Sequence, residues 1–164
     1  MSITDEVLTN NEDYAARFSD GELPMPPARN LAVVACMDAR MVVTEILGIG
    51  NGDAHIIRNA GGIVNQETLR SLLISTRLLG TREIIVLNHT DCGMHTFKDE
   101  ELLQQLREET RQPVDPIPFY SFKDSEQNVR WQVDKIKSYP LLPQEITVRG
   151  FVYDVTNGRL SEIR

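Results

Sequence analysis

The chain has 164 residues, 41% of them hydrophobic, enough for one domain with a sizeable core. Its formal charge of −7 argues against nucleic acid as a partner, because phosphate recognition needs a basic surface, and no run of about 18 apolar residues is present to cross a membrane. The acidic start, Met1-Ser-Ile-Thr-Asp-Glu6, lacks a basic-then-apolar secretory pattern, so a cytoplasmic protein, or a mature form trimmed of its leader, is expected.

Residues 2–16 place Ile3, Val7, Leu8 and Tyr14 among acids, which predicts a helix with Thr4 as its cap. Gly21-Glu-Leu-Pro-Met-Pro-Pro27 breaks that helix and makes an extended connector. The chain therefore divides into a helix with its connector, 1–30, and a body, 31–164. Leu31–Cys36 is a short, continuous apolar run, the pattern of a strand buried on both faces. Met41–Leu47 suits a short helix closed by the glycines of Gly48–Gly52, and His55–Arg58 a second strand. Asn59-Ala-Gly-Gly62 is a tight turn, followed by a helix over Gln66–Leu79 that stops at Gly80. Glu83–His89 is the third strand and Asp99–Thr110 the next helix. Pro113, Pro116 and Pro118 impose an irregular link before a helix over Asp124–Lys137, with Val129, Val133 and Ile136 on one side. Ile146–Tyr153 is the last long strand, Asp154–Gly158 a turn, and Arg159–Ile163 a returning edge strand. Strands alternating with helices predict an α/β domain with right-handed crossovers and a parallel, doubly wound sheet.

In such a sheet, ligands collect beyond the carboxyl ends of the strands. Cys36 ends the first strand, and His89 and Cys92 lie at the end of the third. If those strands are parallel neighbours, the three side chains converge on one edge. Two thiolates and an imidazole suit Zn²⁺, and three protein ligands leave the fourth position that a catalytic zinc needs. Two thiolates also cancel the charge of the metal, so it polarises water less than a three-histidine site does. An ionised carboxylate such as Asp38 could accept a hydrogen bond from that water and aim it at a substrate. Unpaired, the same carboxylate could take the metal position itself, and Arg40, two residues on, is placed to hold it by charge-assisted hydrogen bonds. Inert buried thiols, a structural Asp38–Arg40 ion pair and a Cys36–Cys92 redox couple are the plainer readings; the last needs no His89. Asn59, Gly61 and Gly93 are expected beside the substrate pocket. His95 is either a proton relay or a solvent-facing histidine, and His55 a satisfied core or turn histidine. Asp91 stands between two candidate ligands with no partner that the sequence can name.

Cys36-Met-Asp-Ala-Arg40, Arg58-Asn-Ala-Gly-Gly62 and His89-Thr-Asp-Cys-Gly93 resemble, in order, the three signature blocks of the β-carbonic anhydrases. Arg149–Asp154 is similar to that family's final strand, and the match runs from about Leu31 to Leu160. The resemblance implies zinc on Cys36, His89 and Cys92, with Asp38 and Arg40 as the catalytic dyad. It also implies a four-stranded parallel sheet and a homodimer, or a tetramer of dimers, with the N-terminal helix packed on the neighbour. Bicarbonate-gated members carry tryptophan three residues before the first cysteine; this chain has Val33 at that position, so no such switch is expected. The short chain is more like the compact subgroup, which includes carbonyl sulfide hydrolases. The expected activity is reversible hydration of CO₂ to bicarbonate. Hydrolysis of carbonyl sulfide (COS) to CO₂ and H₂S at the same zinc is the alternative. A zinc domain without turnover is the third reading, against which Asp38 and Arg40 argue.

Overall fold

In the computed structural model, which describes residues 2–114 and 117–164, one five-stranded sheet organises the chain. Strand β1 (Leu31–Cys36) leads through helix α2 (Val43–Leu47) to β2 (Ala54–Asn59), which pairs parallel with one side of β1. Helix α3 (Gln66–Arg77) then carries the chain to β3 (Glu83–His89), parallel on the other side of β1. Helices α4 (Asp99–Thr110) and α5 (Ser125–Lys137) precede β4 (Thr147–Tyr153), parallel to β3, and β5 (Leu160–Ile163) returns antiparallel along β4. The order is β2-β1-β3-β4-β5: the expected four parallel strands and an edge strand.

All six residues of β1 are buried, because both of its faces are covered. On one face Ala32, Val34, Ile84 and Val86 pack with Leu69 and Leu72 of α3 and with Val129 and Ile136 of α5. On the other, Leu31, Val33, Ala35 and Leu87 pack with Met41, Val43, Met94 and Phe122. Helix α5 sits so close to β4 that a side chain at Gly150 would run into Val129. The chain leaves β1 toward one edge of the sheet and leaves β3 toward the other. The loops after these two neighbours therefore diverge and open a crevice at their carboxyl ends.

Several boundaries differ from expectation. Helix α1 (Ile3–Ala15) is capped by Ser2, not Thr4: the Ser2 hydroxyl accepts from the Asp5 N–H, and the Asp5 carboxylate accepts from the Ser2 N–H. Helix α2 begins at Val43 rather than Met41, whose N–H is given to the Asp38 carbonyl in a turn at 3.0 Å. Helix α3 ends at Arg77, and Gly80 lies beyond its cap, in the left-handed region with φ 80°. Pro116 of the expected irregular link lies outside the described residues. In the connector, Pro27 is buried, and the N–H groups of Ala28 and Arg29 donate to the carbonyls of Gly52 and Asp53. None of the residues of α1 is buried.

Candidate metal centre

The β1–β3 crevice brings Cys36, His89 and Cys92 together: their donor atoms all lie within 4.8 Å of one another, and all three residues are buried. Cys36 is the last residue of β1, His89 the last of β3, and Cys92 follows on the tight turn that leaves β3. In that turn Asp91 adopts a left-handed conformation with φ 53°, which aspartate tolerates better than most residues. Both cysteines are free thiols, with their sulfurs 4.0 Å apart.

The imidazole of His89 is oriented by its own neighbour. Its Nδ1 lies 2.8 Å from the Thr90 carbonyl, which can only accept, so Nδ1 carries the proton and Nε2 presents a lone pair. Among the described residues, His89 Nε2 is the buried side-chain nitrogen or oxygen that has no hydrogen-bond partner. Such an atom costs about 1–3 kcal/mol when left unsatisfied. The donors also perturb one another. The Cys36 thiol is lowered well below its ordinary range, first by the hydrogen bond from Cys92, against burial, and further by His89 and the backbone N–H groups of Asp38 and Gly61. Cys92 is pushed far up, by the neighbouring Cys36 sulfur and by burial. Burial works against a charged His89, yet the Cys36 sulfur, the Thr90 carbonyl and Asp38 together outweigh it and raise the imidazole. The shifts are linked: favouring a Cys36 thiolate pushes the neighbouring Cys92 thiol up and draws the imidazole toward its charged form. A divalent cation among these donors resolves the conflict, and the sulfur–nitrogen donor set fits Zn²⁺.

Asp38 and Arg40 stand at the mouth of this cluster. The Arg40 Nε and Nη2 donate to Asp38 Oδ1 and Oδ2 at 3.0 and 2.8 Å, and its backbone N–H donates to Oδ1 at 2.9 Å. The bidentate hold of Arg40 keeps the Asp38 carboxyl far below the usual carboxylate range, against partial desolvation. Asp38 Oδ2 is 3.7 Å from His89 Nε2. Arg40 is itself anchored from the other side: Nη1 donates to Asp91 Oδ2 at 2.8 Å and Nη2 to the Asp91 carbonyl at 2.9 Å. Asp91 thus has a partner that sequence reasoning could not supply, because the contact joins the loops of two different strands.

A cleft of about 210 Å³ opens on the cluster, lined by Cys36, Met37, Asp38, Ala60, Gly61, Cys92, Gly93 and Met94. Gly61 and Gly93 line this cleft, and Asn59 is not among its lining residues. Its amide is turned into the loop, accepting from the Ile63 N–H at 2.7 Å and donating to the Ile63 carbonyl at 2.8 Å. His95 also lies off the cleft: its Nε2 is 3.1 Å from the Ser125 hydroxyl, and its ring meets Phe122 edge-on. His55 is satisfied by the Ser75 hydroxyl at 2.8 Å. Arg58, which sequence reasoning left without a role, clamps the loop after β1 by donating to the carbonyls of Cys36 and Asp38 at 3.0 and 2.7 Å.

Residues 31–160 match the family model described as carbonic anhydrase. The β-carbonic anhydrase 1 of Mycobacterium tuberculosis is 48% identical over 99% of this chain and 99% of its own. A carbon disulfide hydrolase from Acidianus sp. is 36% identical over 95% of this chain and 86% of its own. Among solved structures, the carbonic anhydrase from Streptococcus mutans superposes with a TM-score of 0.95, at 41% identity, over 100% of this chain and 99% of that one.

Proposed function

The chain belongs to the β-carbonic anhydrase family, and from that premise we propose that it hydrates CO₂ reversibly to bicarbonate at zinc held by Cys36, His89 and Cys92. The observation that carries this reading is the partnerless His89 Nε2, buried beside two thiols and an arginine-held carboxylate. When bound, zinc supplies Lewis-acid activation of water, which makes a nucleophile at neutral pH. The Thr90 carbonyl keeps His89 in the tautomer whose Nε2 can ligate. Asp38, in the cleft wall, accepts a hydrogen bond from the attacking water and so turns its lone pair toward the carbon of CO₂. Arg40 holds both oxygens of that carboxylate and keeps it ionised, and Asp91 keeps Arg40 in place. Met37, Ala60, Gly61 and Met94 give the cleft a largely apolar wall, suited to a small, linear, apolar substrate.

A second reading keeps the site and changes the substrate to COS, hydrolysed to CO₂ and H₂S. The 36%-identical carbon disulfide hydrolase supports it, as does a wall that would accept sulfur as readily as oxygen. The site needs both thiols reduced, which suits the cytoplasm. We place the protein there as a homodimer, or a tetramer of dimers, with α1 of each chain on its neighbour.

Stopped-flow assays with CO₂ and COS on the purified protein test the reading, together with its zinc content. The expected result is about one zinc per chain, the number a single Cys-His-Cys site can hold, and faster turnover of CO₂ than of COS. Cys92→Ser should lose most of the metal and the activity. Asp38→Ala should keep the metal and lose roughly 10²–10³ in kcat, the usual cost of one positioned transition-state hydrogen bond. Full zinc retention in Cys92→Ser would reject its role as a ligand, and a wild-type rate in Asp38→Ala would reject the catalytic role of the carboxylate.

A further inference from the structure

Three carboxamides lie in the core between β3 and α5, where apolar residues would pack as well. Asn88, Asn128 and Gln132 are all buried, each under 10% exposed. They make a single head-to-tail chain. The Val64 N–H donates to Gln132 Oε1 at 2.9 Å, and Gln132 Nε2 donates to Asn128 Oδ1 at 2.8 Å. Asn128 Nδ2 donates to Asn88 Oδ1 at 2.6 Å, and Asn88 Nδ2 donates to the Gly61 carbonyl at 3.0 Å. The chain begins on a backbone donor and ends on a backbone acceptor of one short loop, residues 61–64. Because Val64 N–H can only donate and the Gly61 carbonyl can only accept, the orientation of every amide between them is determined.

That loop is a wall of the zinc cleft. Of its residues, Gly61 lines the cleft together with Cys36. Gly61 and Gly62 take φ of +80° and +61°, where only glycine is relaxed, and a side chain at either would crowd its neighbours. A Cβ on Gly61 would stand 3.0 Å from Met94 and from Phe122; one on Gly62 would stand 2.8 Å from Asn88 Nδ2 and 3.1 Å from the Cys36 nitrogen. Asn88 is therefore wedged between the loop and the end of β1, one residue before His89 on β3.

We propose that Asn88 is a positioning residue of the metal site: it holds the Gly61–Val64 loop against the Cys36 end of β1, and Asn128 and Gln132 orient it from helix α5. The proposal rests on the zinc assignment above, and it extends the site from the sheet edge into the core. Asn88 touches neither substrate nor metal. Its effect passes through the Gly61–Val64 loop to the shape of the cleft and to the end of β1 that carries Cys36.

Asn88→Leu and Gln132→Met test this, with Val129→Ala as a packing control on the same helix, in the same buried cluster, whose side chain makes no hydrogen bond in the chain of amides. Each is measured for zinc content, thermal midpoint and the kcat and KM for CO₂. The sulfur-to-metal charge-transfer band of the Co²⁺-substituted protein is recorded on the same samples. Both amide variants should keep metal, lower kcat about tenfold, as outer partners of metal ligands commonly do, and shift the Co²⁺ band. Val129→Ala should lower the thermal midpoint with a wild-type kcat and band. If Asn88→Leu fails to fold, Gln132→Met, which is isosteric and remote from the metal, decides alone. A wild-type kcat and band in the folded amide variants would overturn the proposal, as would a Val129→Ala control that moves both equally. A wild-type protein that binds Co²⁺ but does not hydrate CO₂ would sink the functional reading instead, and the band would still judge this one.

Discussion

Helices α1 and α5 are each 13 residues long, and both begin on a side chain that accepts from their first turn. Ser2 and Asp5 form a reciprocal cap on α1, and Asp124 accepts from the N–H groups of Glu126 and Gln127 on α5. Their surroundings have nothing in common. Helix α5 buries Ser125, Asn128, Val129, Gln132 and Ile136 against the sheet, whereas α1 buries nothing and leaves Ile3 76% and Leu8 62% exposed. A free helix of this length is marginal in water, so caps alone do not hold α1. Good local signals predict that a helix forms; they do not say what covers it. For α5 the cover is the sheet. For α1 our reading supplies it from a second copy of the chain, as two-fold interfaces commonly do.

The contrast can be broken most directly in the core. Ile136→Ala on α5 should lower the unfolding free energy by about 3 kcal/mol in denaturant titrations, from lost burial and the cavity left behind. A loss under about 1 kcal/mol would put α5 in the same class as α1. Leu8→Ala should act elsewhere. It should leave the stability of the single chain within about 0.5 kcal/mol, as exposed substitutions do. It should also raise the dimer dissociation constant at least about tenfold in sedimentation velocity, since burying a leucine is worth about 1.5–3 kcal/mol in each chain. A fully active, stable monomer of the unaltered protein would end the interface assignment. The smallest effect concerns the cap of α1. The Ser2 backbone N–H, and then its hydroxyl, hold the Asp5 carboxyl below its ordinary value of 3.8. That support is complete above the unfolded value and is lost as pH falls through the lower folded one. Amide-exchange protection in the first turn of α1, corrected for intrinsic rates, should therefore decline below about pH 4. Protection there that stays flat down to pH 2 would remove the carboxylate from the cap.

Much of the body was legible because its signals are local. Leu31–Cys36, Glu83–His89 and Asp99–Thr110 have the same bounds in the sequence reading and in the structure. Short, unbroken apolar runs suit strands covered on both faces, and Asp99, Glu100 and Glu101 stand in the first turn of α4, where the helix dipole favours them. The misplaced starts have local causes too. Ser2 won the cap because Asp5, not a residue after Thr4, completes the reciprocal pair. Met41 was lost to α2 because the turn after β1 claims its N–H.

What the sequence by itself determined is the class of the fold, the order of its elements and the donor set at the strand ends, because apolar periodicity and ligand chemistry are written residue by residue. Only the tertiary structure decided which side chains meet across the sheet. It put Asp91 on Arg40, Arg58 on the carbonyls of Cys36 and Asp38, and Asn88 and Gln132 on the Gly61–Val64 loop. It also turned Asn59 and His95 away from the cleft. The physical reason is that a carboxamide or carboxylate has several equivalent partners in the unfolded chain. Which one it takes depends on where β1, β3 and α5 come to rest, and that is fixed by burying apolar faces far from the polar groups themselves.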